Sequence, residues 1–222
     1  MTEPPNMIGK LSVQYSHHPA IKALLKLVPG WSAADTLLQR RADEIKSDRL
    51  KVFFDELAQG KHELTDELIQ SDSFLHAYFC TLRAAMNCRQ HEKIQNFARL
   101  LDSSLDSTLH VSEDEHEELL ALLEEITLRE FAILRDLRTR ELANPRQEGE
   151  NALQHAWRYW KDFRAATVET YGVPDESFNA FMARLERTGL YLRITGNYLD
   201  YSGDIGTTTP LLARVIALVN ET

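Results

Sequence analysis

The sequence predicts a mainly α-helical protein: a multi-helix bundle over residues 1–143, a short linker at 144–151, and a C-terminal module at 152–222 that adds a small β-hairpin. Three observations predict it. Apolar residues recur at helical spacing through most of the 222-residue chain. Ser and Thr residues followed by acidic turns mark repeated helix starts. A single alternating segment, between Gly189 and Gly196, reads as strand.

Pro19 to Val28 forms a short helix stopped at Pro29 and Gly30, and Ser32 is the N-cap expected for the next. From Ala33 to Ala58, Leu37, Leu38, Ile45, Leu50, Val52, Phe53, Phe54 and Leu57 make an amphipathic helix ending at Gly60. Thr65 opens a short helix, and Ser71 or Ser73 opens another through Ala85. Residues 88–105 continue with Ile94, Phe97, Leu100, Leu101 and Leu105 on one face. Ser112 then caps what reads as one long helix, 112–143, acidic in its first turn and carrying Arg135, Arg138 and Arg140 near its end, as the helix dipole favours. Its stripe of Leu119, Leu122, Leu123, Ile126, Phe131, Leu134 and Leu137 is wide enough to serve an internal core and an adjoining chain. Pro145 and Gly149 break helicity in the linker.

In the C-terminal module, Gly172 closes a helix, because glycine accepts positive φ, and Val173 to Asp175 make the turn. Phe178, Phe181, Met182 and Leu185 fall on one face of the next helix, opposite Asn179, Ala180, Ala183, Glu186 and Arg187. Gly189 ends it. Leu190, Leu192 and Ile194 then alternate with Tyr191, Arg193 and Thr195, which fits a half-buried strand. A loop through Gly196, Asn197, Gly203 and Gly206 leads to Thr209 as N-cap and Pro210 as first residue of a terminal helix.

The string GVPDESFNAFMARLERTGLY, with Arg184-Leu185-Glu186 two residues before Gly189-Leu190, and the later TTTPLLARV resemble the recognition-helix end and wing of bacterial winged-helix proteins, over about a third of the chain. The resemblance implies a winged-helix-like C-terminal module. The same tail behind a long helical region loosely resembles bacterial phage-defence proteins of the abortive-infection alpha type, which implies no catalytic residue.

Composition, at 43% hydrophobic and 27% charged, is that of a globular protein, and a net charge of −9 opposes non-specific attraction to phosphate backbones or anionic lipid. Residues 151–222 carry seven Lys or Arg against eight Asp or Glu, so the negative excess lies mostly before them. Cys80 and Cys88 are expected as reduced thiols without a disulfide, and no apolar run is long enough to span a bilayer. A soluble, cytoplasmic protein is the expectation.

Candidate chemistries are few. His110, Glu113, Asp114, His116 and Glu117 are the densest potential ligands, and Glu113 with His116 has the Glu-x-x-His spacing of ferritin-like metal sites. Without a second copy the group reads as a solvated acidic helix start, so no metal and no cofactor are expected. Neither His62-Glu63 nor His91-Glu92 is followed by the second histidine of a zinc-protease helix, and His17 and His18 read as surface residues. No Gly-x-Ser-x-Gly turn or phosphate-binding glycine loop occurs, so no catalytic residue is assigned. Trp157, Tyr159, Trp160 and Phe163 favour core packing or a helix interface over base stacking. The expected function is therefore non-enzymatic: binding of a protein partner or of another copy of the chain. The alternative is a winged-helix DNA-binding regulator contacting nucleic acid through Asn179, Arg184, Arg187 and Arg193, which Asp175 and Glu176 at the helix start would oppose.

Overall fold

A computed structural model describes residues 7–28, 37–195 and 205–220. The fold is mainly α, with one small antiparallel hairpin. It divides into two compact units, Met1–Glu124 with Leu218–Thr222, and Glu125–Ala217. The division falls between Glu124 and Glu125, and the stretch 144–151 lies inside the second unit, where it joins two packed helices.

The first unit contains α1 (Met7–Gln14), α2 (Pro19–Lys26), α3 (Leu37–Ala58), a 3₁₀ turn (Leu68–Gln70), α4 (Asp72–Asn87), α5 (His91–Ser103) and α6 (Glu113–Glu125), the last residue of which begins the second unit. The expected stop at Pro29 and Gly30 and the Ser32 cap lie outside the described residues. Hydroxyls cap the helix starts as expected: Ser71 Oγ accepts from Phe74 N at 3.3 Å, which selects Ser71 over Ser73, and Ser112 Oγ accepts from Glu115 N at 3.1 Å. The core forms where α3, α4 and α5 meet, around Leu50, Phe53, Phe54, Tyr78, Leu82, Ile94, Phe97 and Leu101, all buried. Ile45 of α3, expected on its apolar face, is exposed. Tyr78 is the polar anchor of this core, its hydroxyl donating to the Leu24 carbonyl at 2.9 Å.

The second unit contains α7 (Leu128–Ala143), α8 (Ala152–Glu169), a 3₁₀ turn (Asp175–Ser177), α9 (Phe178–Arg187), β1 (Tyr191–Arg193), β2 (Gly206–Thr208) and α10 (Pro210–Val219), whose last two residues count with the first unit. The expectation of one helix over 112–143 is overturned. Thr127 and Glu130 form a capping box, with Thr127 N donating to Glu130 Oε2 at 2.9 Å and Glu130 N to Thr127 Oγ1 at 3.2 Å, so α6 ends and α7 starts afresh. The expected wide stripe is consumed within the chain: six of its seven apolar residues are buried and Leu122 is half-buried.

Gly172 and Gly189 follow α8 and α9 at φ of 67° and 75°, the left-handed conformation that terminates helices. Phe178, Met182 and Leu185 are buried as expected, but Phe181 is only half-buried, with the Arg129 guanidinium 5.8 Å from its ring centre. The expected half-buried strand is present as β1. Tyr191 is buried and Leu192 is 57% exposed. The cause is non-local: β1 pairs antiparallel with β2, Tyr191 opposite Thr208 and Arg193 opposite Gly206, and the Tyr191 ring occupies the space a side chain at 206 would need. A Cβ there would stand 2.1 Å from Tyr191 Cζ. Tyr191 thereby stacks near Trp160, with ring centres 6.3 Å apart, and Trp160 reaches Phe163 and Phe178.

The hairpin is held by Glu141, a buried residue of α7. Its carboxylate accepts from Thr208 N and Thr207 Oγ1, each at 2.7 Å, and from Thr208 Oγ1. Thr209 caps α10 as expected, accepting from Leu212 N at 3.3 Å and donating to the Gly189 carbonyl at 2.8 Å.

Two stability outcomes follow from this packing. Phe178→Ala should cost about 3–5 kcal/mol in urea unfolding, and Phe181→Ala clearly less. Glu141→Ala should cost about 2–3 kcal/mol, because it strands a buried backbone N–H and two hydroxyls, whereas exposed Glu148→Ala stays within about 0.5 kcal/mol of wild type. Equal losses for Glu141 and Glu148 would refute the role given to the buried carboxylate.

Candidate functional site

Two places gather functional side chains, one in each unit. In the second, α9 presents Asn179 and Ala183 to solvent while Phe178, Met182 and Leu185 anchor its other face. The arginines expected to contact nucleic acid are each bound to a carboxylate of the same unit. Arg184 Nε donates to Glu130 Oε1, and its second contact, to Oε2, measures 3.4 Å. Arg187 lies 3.3 Å from Glu125, and Arg193 lies 3.5 Å from Glu186. At the start of the helix, Asp175 pairs with Arg164 at 2.9 Å. Asn179 is exposed but is not joined to these arginines by any hydrogen bond found among the described residues.

Glu130 is the most constrained member. Burial alone would raise its pKa, but the Arg184 hydrogen bond, the Thr127 amide and hydroxyl, and the Arg184 charge outweigh burial and lower it below the ordinary carboxyl value. Arg184 responds in the opposite direction, held more firmly protonated by the hydrogen bond to Glu130. The aromatic group of α8 splits: Tyr159, Trp160 and Phe163 are core residues, whereas Trp157 is 53% exposed. Core packing thus accounts for three of the four.

In the first unit, a cleft of about 210 Å³ is lined by residues of α4 and the start of α6, including Ser73, His76, Glu113, His116 and Glu117. His116 is not part of a solvated helix start as expected. It falls in register with Leu119, Leu120 and Leu123 on the inner face of α6 and is buried, its Nε2 lying 3.0 Å from Thr81 Oγ1 while Nδ1 has no hydrogen-bond partner among the described residues. Burial, aided by His76 and opposed by Glu117, holds its pKa below the ordinary imidazole value. Glu113 bonds instead to Ser73 Oγ at 2.5 Å, so the Glu113 and His116 of the Glu-x-x-His spacing engage different residues of α4.

The structure gathers a different set. His76 and Cys80, one helical turn apart on α4, meet Glu117 of α6, with His76 Nε2 2.6 Å from Glu117 Oε1 and 3.7 Å from Cys80 Sγ. The spacing His76-x₃-Cys80 was visible in the sequence, but its partner lies 41 residues from His76. Among the other histidines, His62 hydrogen-bonds Asp102 at 3.2 Å, His91 hydrogen-bonds Asp48 at 2.7 Å, and His110 and His155 bond to the Thr108 and Asn144 carbonyls. His17 and His18 are exposed, as expected. Cys80 and Cys88 are both unbridged.

The Glu130 arrangement carries a pH dependence of definite sign. Because the folded carboxyl has the lower pKa, its stabilisation is complete above the unfolded value near 4.5 and is lost as pH falls through the folded value. Urea midpoints measured down an acid series should therefore decline less steeply for Glu130→Gln than for wild type, and superimposable declines would refute it.

No family model, no curated protein and no solved structure matches this chain.

Proposed function

We propose that this chain is a non-enzymatic interaction protein whose C-terminal unit, a winged-helix-like module, docks a protein surface, either a partner or a second copy of the chain. The observation that carries the reading is the charge pairing around α9. Arg184, Arg187 and Arg193 each lie within 4 Å of a carboxylate, at Glu130, Glu125 and Glu186 respectively. A phosphate would have to displace these acids, and the net charge of −9 adds a long-range field of the wrong sign. DNA binding through Asn179, Arg184, Arg187 and Arg193 is therefore the less favoured use of the module.

Docking also has apolar material available. Leu142, Trp157 and Leu192 of this unit are 66%, 53% and 57% exposed. Isolated surface leucines are ordinary, but an exposed tryptophan matters more, since tryptophan is enriched among the residues that dominate binding energy. No helix among the described residues is long and apolar enough to cross a membrane. A bacterial, phage-defence setting belongs to the same proposal and rests on the sequence resemblance alone, and a cytoplasmic location rests on the reduced state expected of Cys80 and Cys88.

Light scattering of the purified chain at low salt should give at least a dimer, and Trp157→Ala should reduce the mass while changing unfolding stability by no more than about 0.5 kcal/mol. Fluorescence anisotropy with random duplex should show only weak binding. A strict monomer with submicromolar duplex affinity, weakened by Arg184→Ala and by added salt, would reverse the ranking in favour of a DNA-binding regulator.

A further inference from the structure

We propose that His76, Cys80 and Glu117 form a binding site for one borderline divalent transition-metal ion, zinc above all. The site lies wholly within the first unit and is independent of the interaction reading. The three donor atoms lie within 4.8 Å of one another, and no other set of three histidine, cysteine or carboxylate donors converges so closely among the described residues.

The geometry is near that of a bound ion. In a tetrahedral site with zinc about 2.0 Å from nitrogen and about 2.3 Å from sulfur, those two atoms are about 3.5 Å apart. The His76 Nε2 to Cys80 Sγ separation is 3.7 Å. The same geometry puts nitrogen and carboxylate oxygen about 3.3 Å apart. The His76 to Glu117 distance, now 2.6 Å, would therefore open by a side-chain adjustment. Both side chains are about half exposed, at 54% and 56%, so the adjustment needs no backbone movement.

Two hydrogen-bonding roles compete at His76 Nε2, which lies 2.6 Å from Glu117 Oε1 and 3.7 Å from Cys80 Sγ. His76 Nε2 can donate a proton to Glu117 or accept one from the Cys80 thiol, but one nitrogen cannot do both. A cation resolves the conflict by taking a lone pair from each of the three atoms. Binding converts the thiol to thiolate and releases its proton to the buffer. A second observation marks the place: buried His116, the residue before Glu117, lines the adjoining cleft, and its Nδ1 has no hydrogen-bond partner among the described residues. Water can fill the fourth position. The sulfur and imidazole donors select zinc or cobalt over magnesium or calcium, which require oxygen-only ligation.

The test uses the reduced full-length chain and Co²⁺ or Zn²⁺ alone. Cobalt should bind one equivalent, producing a thiolate-to-cobalt charge-transfer band in the near ultraviolet and intense visible ligand-field bands of a tetrahedral site. Zinc should abolish both, and magnesium should leave them unchanged. Cys80→Ser should remove the charge-transfer band, His76→Ala and Glu117→Gln should each weaken zinc binding more than about 100-fold, beyond the loss of a merely supporting hydrogen bond, and Cys88→Ser should behave as wild type. Circular dichroism of each variant checks that the helices persist. Absence of the charge-transfer band in wild type, or its loss in Cys88→Ser but not in Cys80→Ser, would overturn the assignment.

Discussion

One buried carboxylate organises the C-terminal unit. Glu141 stands on α7 with almost no solvent access, and a charge in that position is tolerable only because donors surround it. The donors come from β2, through Thr207 and Thr208, with Arg138 of the same helix 3.5 Å away. This contact sets where β2 lies. The register between β2 and β1 then brings Tyr191 over Gly206, and Tyr191 completes the aromatic group of Trp160, Phe163 and Phe178. The hairpin is only three residues on each strand, too short to be stable by its own ladder, so its anchoring to a helix is what lets it exist.

The same device recurs in the first unit. Asp102, near the end of α5, is 8% exposed and accepts from the amides of Lys61 and His62, at 3.1 and 3.3 Å, fixing the chain after α3. In both places a helix supplies an anion to backbone N–H groups that no regular structure satisfies. An acidic composition is thus partly structural. The acids around α9 have a second consequence, because carboxylates that hold Arg184, Arg187 and Arg193 also mask the positive charge a nucleic-acid reader would display.

The two candidate regions are built on different physics. The α9 surface is defined by charges that cancel, at Arg184, Arg187 and Arg193. The cluster at His76, Cys80 and Glu117 is defined by donor atoms that converge within 4.8 Å of one another. Each is positioned by helix geometry: one turn of α4 separates His76 from Cys80, and one turn of α6 separates Glu113 from Glu117.

The sequence by itself determined the helical class, most helix starts and the C-terminal order of elements, because these depend on local chemistry. Ser71, Ser112 and Thr209 cap the helices they precede, and Gly172 and Gly189 take the positive φ their positions demand. It also contained the break between α6 and α7, in Thr127 and Glu130, but apolar spacing continuing on both sides concealed it. Only the tertiary structure decided the rest. Alternation in β1 is compatible with either face inward, and the choice of Tyr191 over Leu192 required the space at Gly206 on a strand fifteen residues later. The state of charge of the α9 surface, and the convergence of His76 and Cys80 on Glu117, likewise depend on residues distant in the chain, whose separation in space no local spacing encodes.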